Sequence, residues 1–160
     1  VYAEYERFLK KLPMFVTRMT LYPMTLTHND FHPRNICLRE ENGEKHLVVY
    51  DWELAAVQNP QHDLIEFLIY ALPINAPMEQ FRKYFDYYFE HLKEYIGKNL
   101  IKEEFMDVLY LNALELGLIR YNIYLLTHNI MKYDFMDRVY LNLRNLILEY
   151  QESRNKRGIE

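Results

Sequence analysis

At 160 residues, 50% of them hydrophobic, the chain can bury one sizeable core, and one domain is expected. A formal net charge of −4 excludes the basic stripe that nucleic acid requires. The longest apolar stretch, residues 105–126, is broken by Asp107, Asn112, Glu115, Arg120 and Asn122, a load that excludes a membrane span and predicts a helix buried on most of its faces.

In chain order, residues 2–12 carry Tyr5, Phe8, Leu9 and Leu12 on one helical face, and Pro13 is expected to interrupt it. Residues 24–27 read as a short strand. Residues 36–38 and 47–50 read as a hairpin pair, with Glu41-Asn42-Gly43-Glu44 as the turn and Asn-Gly able to take positive φ. Four helical patterns follow. Leu64, Phe67, Leu68 and Ala71 share the first face, which Pro73 ends. The second begins near Pro77, presents Met78, Phe81, Phe85, Tyr88, Leu92 and Ile96, and stops at Gly97. The third is the buried helix 105–126. The fourth carries Met136, Val139, Leu143, Ile147 and Tyr150. The expected fold is α+β and mostly helical, one unit over 1–152 with a polar tail at 153–160 whose Arg154 and Arg157 are a solvated end. The single cysteine, Cys37, suits a reducing compartment, and a cytoplasmic location is expected. The chain starts at Val1 with no signal-like segment, which suggests a piece of a longer protein.

The chemistry gathers at residues 27–51. A His28-x-Asp30 pair is followed by Asn35, five residues beyond Asp30, and by Asp51 at the end of an apolar run. The hairpin places Asn35 and Asp51 at adjacent strand ends. One carboxylate to accept the proton of an attacking hydroxyl, plus an amide oxygen and a second carboxylate to hold metal ions on nucleotide phosphates, is the set that phosphoryl transfer needs.

Asp30-Phe31-His32-Pro33-Arg34-Asn35 resembles the catalytic loop of the kinase-like fold. His32 stands where protein kinases carry Lys, and Asp51-Trp52-Glu53 stands where they carry Asp-Phe-Gly. Both changes resemble the aminoglycoside phosphotransferase and choline kinase family, which phosphorylates small molecules. Gln61-His62-Asp63-Leu64 is similar to that family's Pro-x-x-Asp-Leu-Ala segment. Asn29 and Arg34 depart from it, standing where many relatives have Gly.

The resemblance implies the C-terminal lobe of such an enzyme, the hairpin carrying its loops. Asp30 is then the catalytic base, and Asn35 and Asp51 are the Mg²⁺ ligands, with ATP as co-substrate. His28 braces the metal-binding segment. His32 touches a phosphate or the substrate, or hydrogen-bonds within the loop. Glu53 joins the metal shell or faces solvent. Asp63 caps its helix and ties down the loop. Ile36, Cys37 and Leu38 form the floor under the adenine, or plain strand core. Tyr84, Tyr87, Tyr88 and Tyr95 are candidates for an amine-binding surface through cation–π contacts, or for core.

No Gly-rich phosphate loop and no strand lysine occurs in the sequence, so both would belong to an N-terminal lobe of the parent protein. Its partners would be that lobe and a small-molecule acceptor of aminoglycoside, choline, ethanolamine, homoserine or sugar type, with self-association of the isolated lobe. The competing readings are a non-catalytic pseudokinase or interaction domain, and a metal-dependent hydrolase in which His28, Asp30, His32, His62 and Asp63 form a ligand cluster.

Overall fold

The structure, a computed structural model, describes residues 2–97 and 99–157. Helix α1 (Tyr2–Thr20) is longer than expected, because Pro13 lies inside it. Proline removes one helical N–H, yet the helix continues, burying Phe15 and packing Met19 against the core. The Thr17 hydroxyl donates to the Pro13 carbonyl at 2.9 Å. Of the expected α1 face, the side chains of Tyr5, Phe8 and Leu9 lie outside the described ones.

Two antiparallel pairs are nested. Strand β1 (Thr25–Thr27) pairs with β4 (Ala56–Gln58), Thr27 opposite Ala56. Between them, β2 (Ile36–Glu41) pairs with β3 (Glu44–Val49), Ile36 opposite Val49. The turn works as its residue types require: Asn42 and Gly43 both take positive φ, 55° and 81°. The hairpin is longer than its apolar residues suggested, and β4 went unforeseen.

Helix α2 (Gln61–Ala71) buries Ile65, Leu68, Ile69 and Tyr70. Of the expected face, Leu64 and Phe67 are only half-buried and Ala71 is exposed. The helix packs against both α4 and α6, so its buried arc is wider than one stripe and turned from the one expected. Helix α3 (Met78–Ile96) buries Phe81, Phe85 and Phe89 and stops at Gly97, φ 109°. The long buried stretch is helical throughout but not uniform: α4 (Lys102–Glu115) passes through a π-helical turn, Leu116–Arg120, into α5 (Tyr121–His128). Helix α6 (Met136–Arg157) buries Met136, Val139, Leu143 and Tyr150 as expected, with Leu146 and Asn142 beside them. Residues 153–157 of the expected tail are its last turns.

The core lies among α2, α3, α4 and α6, and the β pairs are mounted on its margin. Among the described residues, no helix is long and apolar enough to cross a membrane.

Candidate active site

Residues 28–35 leave β1 and return to β2, ending in a 3₁₀ turn, Pro33–Asn35, that Pro33 pre-sets. Two carboxylates of α2 and the loop's own Asn35 amide fix this loop. Asp63 accepts the backbone N–H of His28 at 2.7 Å and of Asn29 at 2.9 Å. Its carboxylate thus ties down the loop, and it makes no cap for its own helix, contrary to half of the sequence reading. Burial pushes its pKa up, against the pull of those two N–H groups. Glu66, one helical turn on, accepts the Phe31 N–H at 2.8 Å.

Asn35 is buried and donates from Nδ2 to both the Asp30 carbonyl and Asp30 Oδ2, each at 2.9 Å. His32 Nε2 lies 3.6 Å from the same Oδ2. Burial lowers the His32 pKa, with Asp30 opposing. Asp30 keeps a quarter of its side chain exposed. The Asn35 carbonyl accepts from the Tyr50 N–H at 3.1 Å, so the hairpin joins the two strand ends as its register implied. Asp51 follows directly, exposed and in the left-handed region at φ 67°, ψ 54°. Such a conformation in a non-glycine residue is costly and held only where its surroundings demand it.

His28 is 1% exposed. Its Nε2–H donates to the Tyr50 carbonyl at 2.8 Å, and its ring lies 4.7 Å from that of Trp52. It therefore grips both sides of Asp51. Glu53 lies in the exposed 3₁₀ turn Trp52–Leu54. Ile36 is half-buried, Cys37 is exposed and Leu38 is 69% exposed, which overturns the plain strand-core reading of these three.

Asn29 takes φ 59°, the conformation a Gly would supply there. Its side chain donates to the Leu54 carbonyl at 2.9 Å and accepts from Gln58 at 2.8 Å. Arg34 has no positive φ to explain. Its guanidinium lies 5.0 Å over the Phe135 ring.

Three histidines point three ways: His28 to Tyr50, His32 to Asp30 and the Tyr70 ring, His62 towards Glu115 at 3.8 Å. Among the described residues, no group of three or more His, Cys, Asp or Glu is placed to hold a metal. The hydrolase cluster is therefore not brought together. An Asn oxygen and a carboxylate remain as a hard-oxygen pair, which fits Mg²⁺, an ion that takes its other ligands from phosphates and water.

Two groups of tyrosines flank the loop. Tyr84, Tyr87 and Tyr88 line a cavity of about 360 Å³ with Phe31, Asp63 and Phe67. Tyr95, expected with them, is exposed and away from it. On the Asp30 side the rings are others: Tyr70 lies 5.1 Å from His32 and 5.2 Å from Phe135, which also meets Tyr124 and Tyr133. Burial, then the Asp30 carboxylate, raises the Tyr124 pKa.

Sequence reasoning missed Glu66 and Arg120. Arg120 Nη1 meets Glu66 Oε1 at 2.5 Å, and Nη2 meets the Asn29 carbonyl at 2.8 Å and Asn29 Oδ1 at 3.0 Å. Burial works against the guanidinium charge, but the charge and hydrogen bond of Glu66, with Tyr121 and Asp30 adding to them, hold the Arg120 pKa above its ordinary value. The available signal was a charge among the apolar residues of each of two helical runs, and each run carries other charges as well.

A mostly helical α+β domain thus carries on its margin a braced carboxylate–amide loop and a second carboxylate, groups of the kind that phosphoryl transfer uses. The family model described as the phosphotransferase enzyme family matches residues 2–96, more than half of the chain, and the chain belongs to that family. This bears out the resemblance drawn from the motifs and extends it over α1 and α3. No curated protein and no solved structure matches the chain.

Proposed function

We propose that the chain carries the acceptor-side half of an ATP-dependent, Mg²⁺-assisted phosphoryl transfer to the hydroxyl of a small molecule. The observation that carries this reading is the Asn35–Asp30 pair, one amide nitrogen bonded to both the carbonyl and Oδ2 of Asp30. It aims the carboxylate and leaves the amide oxygen of Asn35 for a metal, on a residue whose carbonyl is bonded to Tyr50, the neighbour of Asp51. The neighbours of the Asp30 carboxylate fall on Oδ2, so Oδ1 is the oxygen left for an acceptor hydroxyl.

Phosphoryl transfer asks mostly for positioning and charge neutralisation. Asp30 orients the hydroxyl and takes its proton. Asn35 and Asp51 would hold the Mg²⁺, which supplies charge neutralisation on the phosphates when bound. His28 keeps Asp51 in place through Tyr50 and Trp52. Ile36, Cys37 and Leu38 are the floor for the adenine, and the exposure of Cys37 and Leu38 supports a surface awaiting cover. That cover would be an N-terminal lobe of the full-length protein. The acceptor lies beside Tyr70, Tyr124 and Phe135, of aminoglycoside, aminoalcohol, homoserine or sugar type, and the reaction is cytoplasmic.

Asp30→Asn in the full-length protein is expected to lower turnover about 10²–10⁴-fold while MgATP binding stays near parental. Near-normal turnover would remove Asp30 from the base role. Asp51→Ala is expected to weaken nucleotide binding only when Mg²⁺ is present, and Asn35→Ala to do so less. Equal affinities with and without Mg²⁺ in mutant and parent would sink the metal assignment.

A further inference from the structure

We infer that Arg120 is a positioning residue: delivered by the π-helical turn, it clamps the loop on both sides of Asp30, through Asn29 directly and through Glu66 to Phe31. The activity readout rests on the phosphotransfer reading; the geometry does not.

Arg120 crosses from the helical core to a loop ninety-one residues away in sequence. Its two terminal nitrogens do different work. Nη2 holds the carbonyl of Asn29, the residue before Asp30, and Nη1 holds Glu66. Glu66 passes the constraint on, its second oxygen accepting the N–H of Phe31, the residue after Asp30. The peptide groups flanking Asp30 are thus pinned by one ion pair. Asn29 has the further burden of a left-handed backbone. Four side-chain contacts, from Arg120, Gln58, Asp63 and to Leu54, hold it there.

Glu66 is 1% exposed. A buried ion pair is often no better for stability than packed apolar residues of the same size. Apolar residues would not, however, donate to Asn29 or accept from Phe31. Because Glu66 offsets the Arg120 charge, the pair adds geometry to the site more than potential. The turn Leu116–Arg120 explains how a residue of a buried helix reaches the loop. A π turn shifts the helical register locally, and such turns gather at functional sites. Here the buried Leu116 and Tyr121 stay in the core while Arg120 between them reaches outward to the loop.

The test uses the full-length protein with three variants. Arg120→Lys keeps the charge and loses the fork. Arg120→Gln strands Glu66 and is at risk of unfolding. The double variant Arg120→Gln/Glu66→Gln leaves no buried charge alone, and is the one that keeps the test open. Turnover is read as ADP release from MgATP, with the best acceptor from a panel of aminoalcohols, aminoglycosides and sugars. MgATP affinity is titrated separately, and amide hydrogen exchange is followed at residues 28–31. The expected result for the folded double variant is a kcat lowered roughly tenfold to a hundredfold, MgATP affinity near parental, and faster exchange at Asn29 and Phe31. Arg120→Lys should fall between it and the parent. A folded double variant with parental kcat and parental exchange overturns the inference. So does a loss of kcat and MgATP affinity together with unchanged loop exchange, which would mark a general structural role. If the full-length parent shows no ATP turnover with any acceptor, the phosphotransfer reading fails, while the exchange at residues 28–31 still decides the role of Arg120.

Discussion

His62 is 3% exposed in α2, and neither ring nitrogen has a hydrogen-bond partner. Burial, then the charge of Arg120, lowers its pKa from 6.5 to about 4. The unfolded chain therefore takes up a proton that the fold refuses. This contribution is complete above pH 6.5 and is lost as pH falls from 6.5 to about 4, amounting to about 3 kcal/mol. Asp63, Glu66 and Glu115, whose pKa values burial raises, act with the opposite sign. The difference between parent and His62→Gln isolates the histidine. Chemical denaturation from pH 7 to 4 should show the parent losing stability relative to the variant; a constant difference would contradict the argument. Single residues were legible in the sequence where their neighbours in the chain fix them. A local hairpin bonds Asn35 to Tyr50, the neighbour of Asp51, and the order Asp30, Asn35, Asp51 is short-range. Glu66 and Arg120 meet only through tertiary packing, which one charge among several in a helical run does not reveal.

Among the elements, α2 ends where three groups need partners, and one side chain from α6 supplies them. Buried Asn142 donates to the carbonyls of Ile69 and Pro73, each at 3.1 Å, and accepts the Ala76 N–H at 3.0 Å. A helix C-terminus leaves carbonyls unpaired, and here they face protein, so Asn142 acts as the cap from another element. Asn142→Ala is expected to cost about 3 kcal/mol, since several buried polar groups lose partners at once. Urea denaturation measures it, and a cost below about 1 kcal/mol would show that water replaces the amide. Long helices and the Asn-Gly hairpin could be read from periodicity and turn chemistry. Strand β4 could not: three residues make a strand only because β1 lies opposite. The π turn escaped because apolar periodicity continues through it. Pro13 was overweighted, since packing of the turns after it outweighs one lost hydrogen bond.

At the scale of the molecule, apolar surface is unevenly covered. Leu26, Leu38, Leu47 and Val57, one from each strand, are all more than 60% exposed, and Trp52 and Leu54 join them. Apolar patches of this kind mark faces that meet another surface. The 160-residue chain alone is therefore expected to self-associate and to show no ATP turnover with any acceptor. Light scattering across a concentration series and a turnover assay check this, and an active monomer would refute it. The nesting of the two β pairs also orders events in time. Before the inner pair forms, β1 and β4 must close residues 28–55 as one floppy loop. Once β2 and β3 have zipped, only the two short connections, 28–35 and 50–55, remain to be closed. Halving a loop saves about 0.6 kcal/mol of closure entropy, so the inner pair makes the outer one easier to form. Those two connections are the segments that hold Asp30 and Asp51, and they are therefore expected to be the last part of the β unit to settle. A slow or mispaired Asn42-Gly43 turn, distant from any reacting atom, would then delay the arrival of both carboxylates.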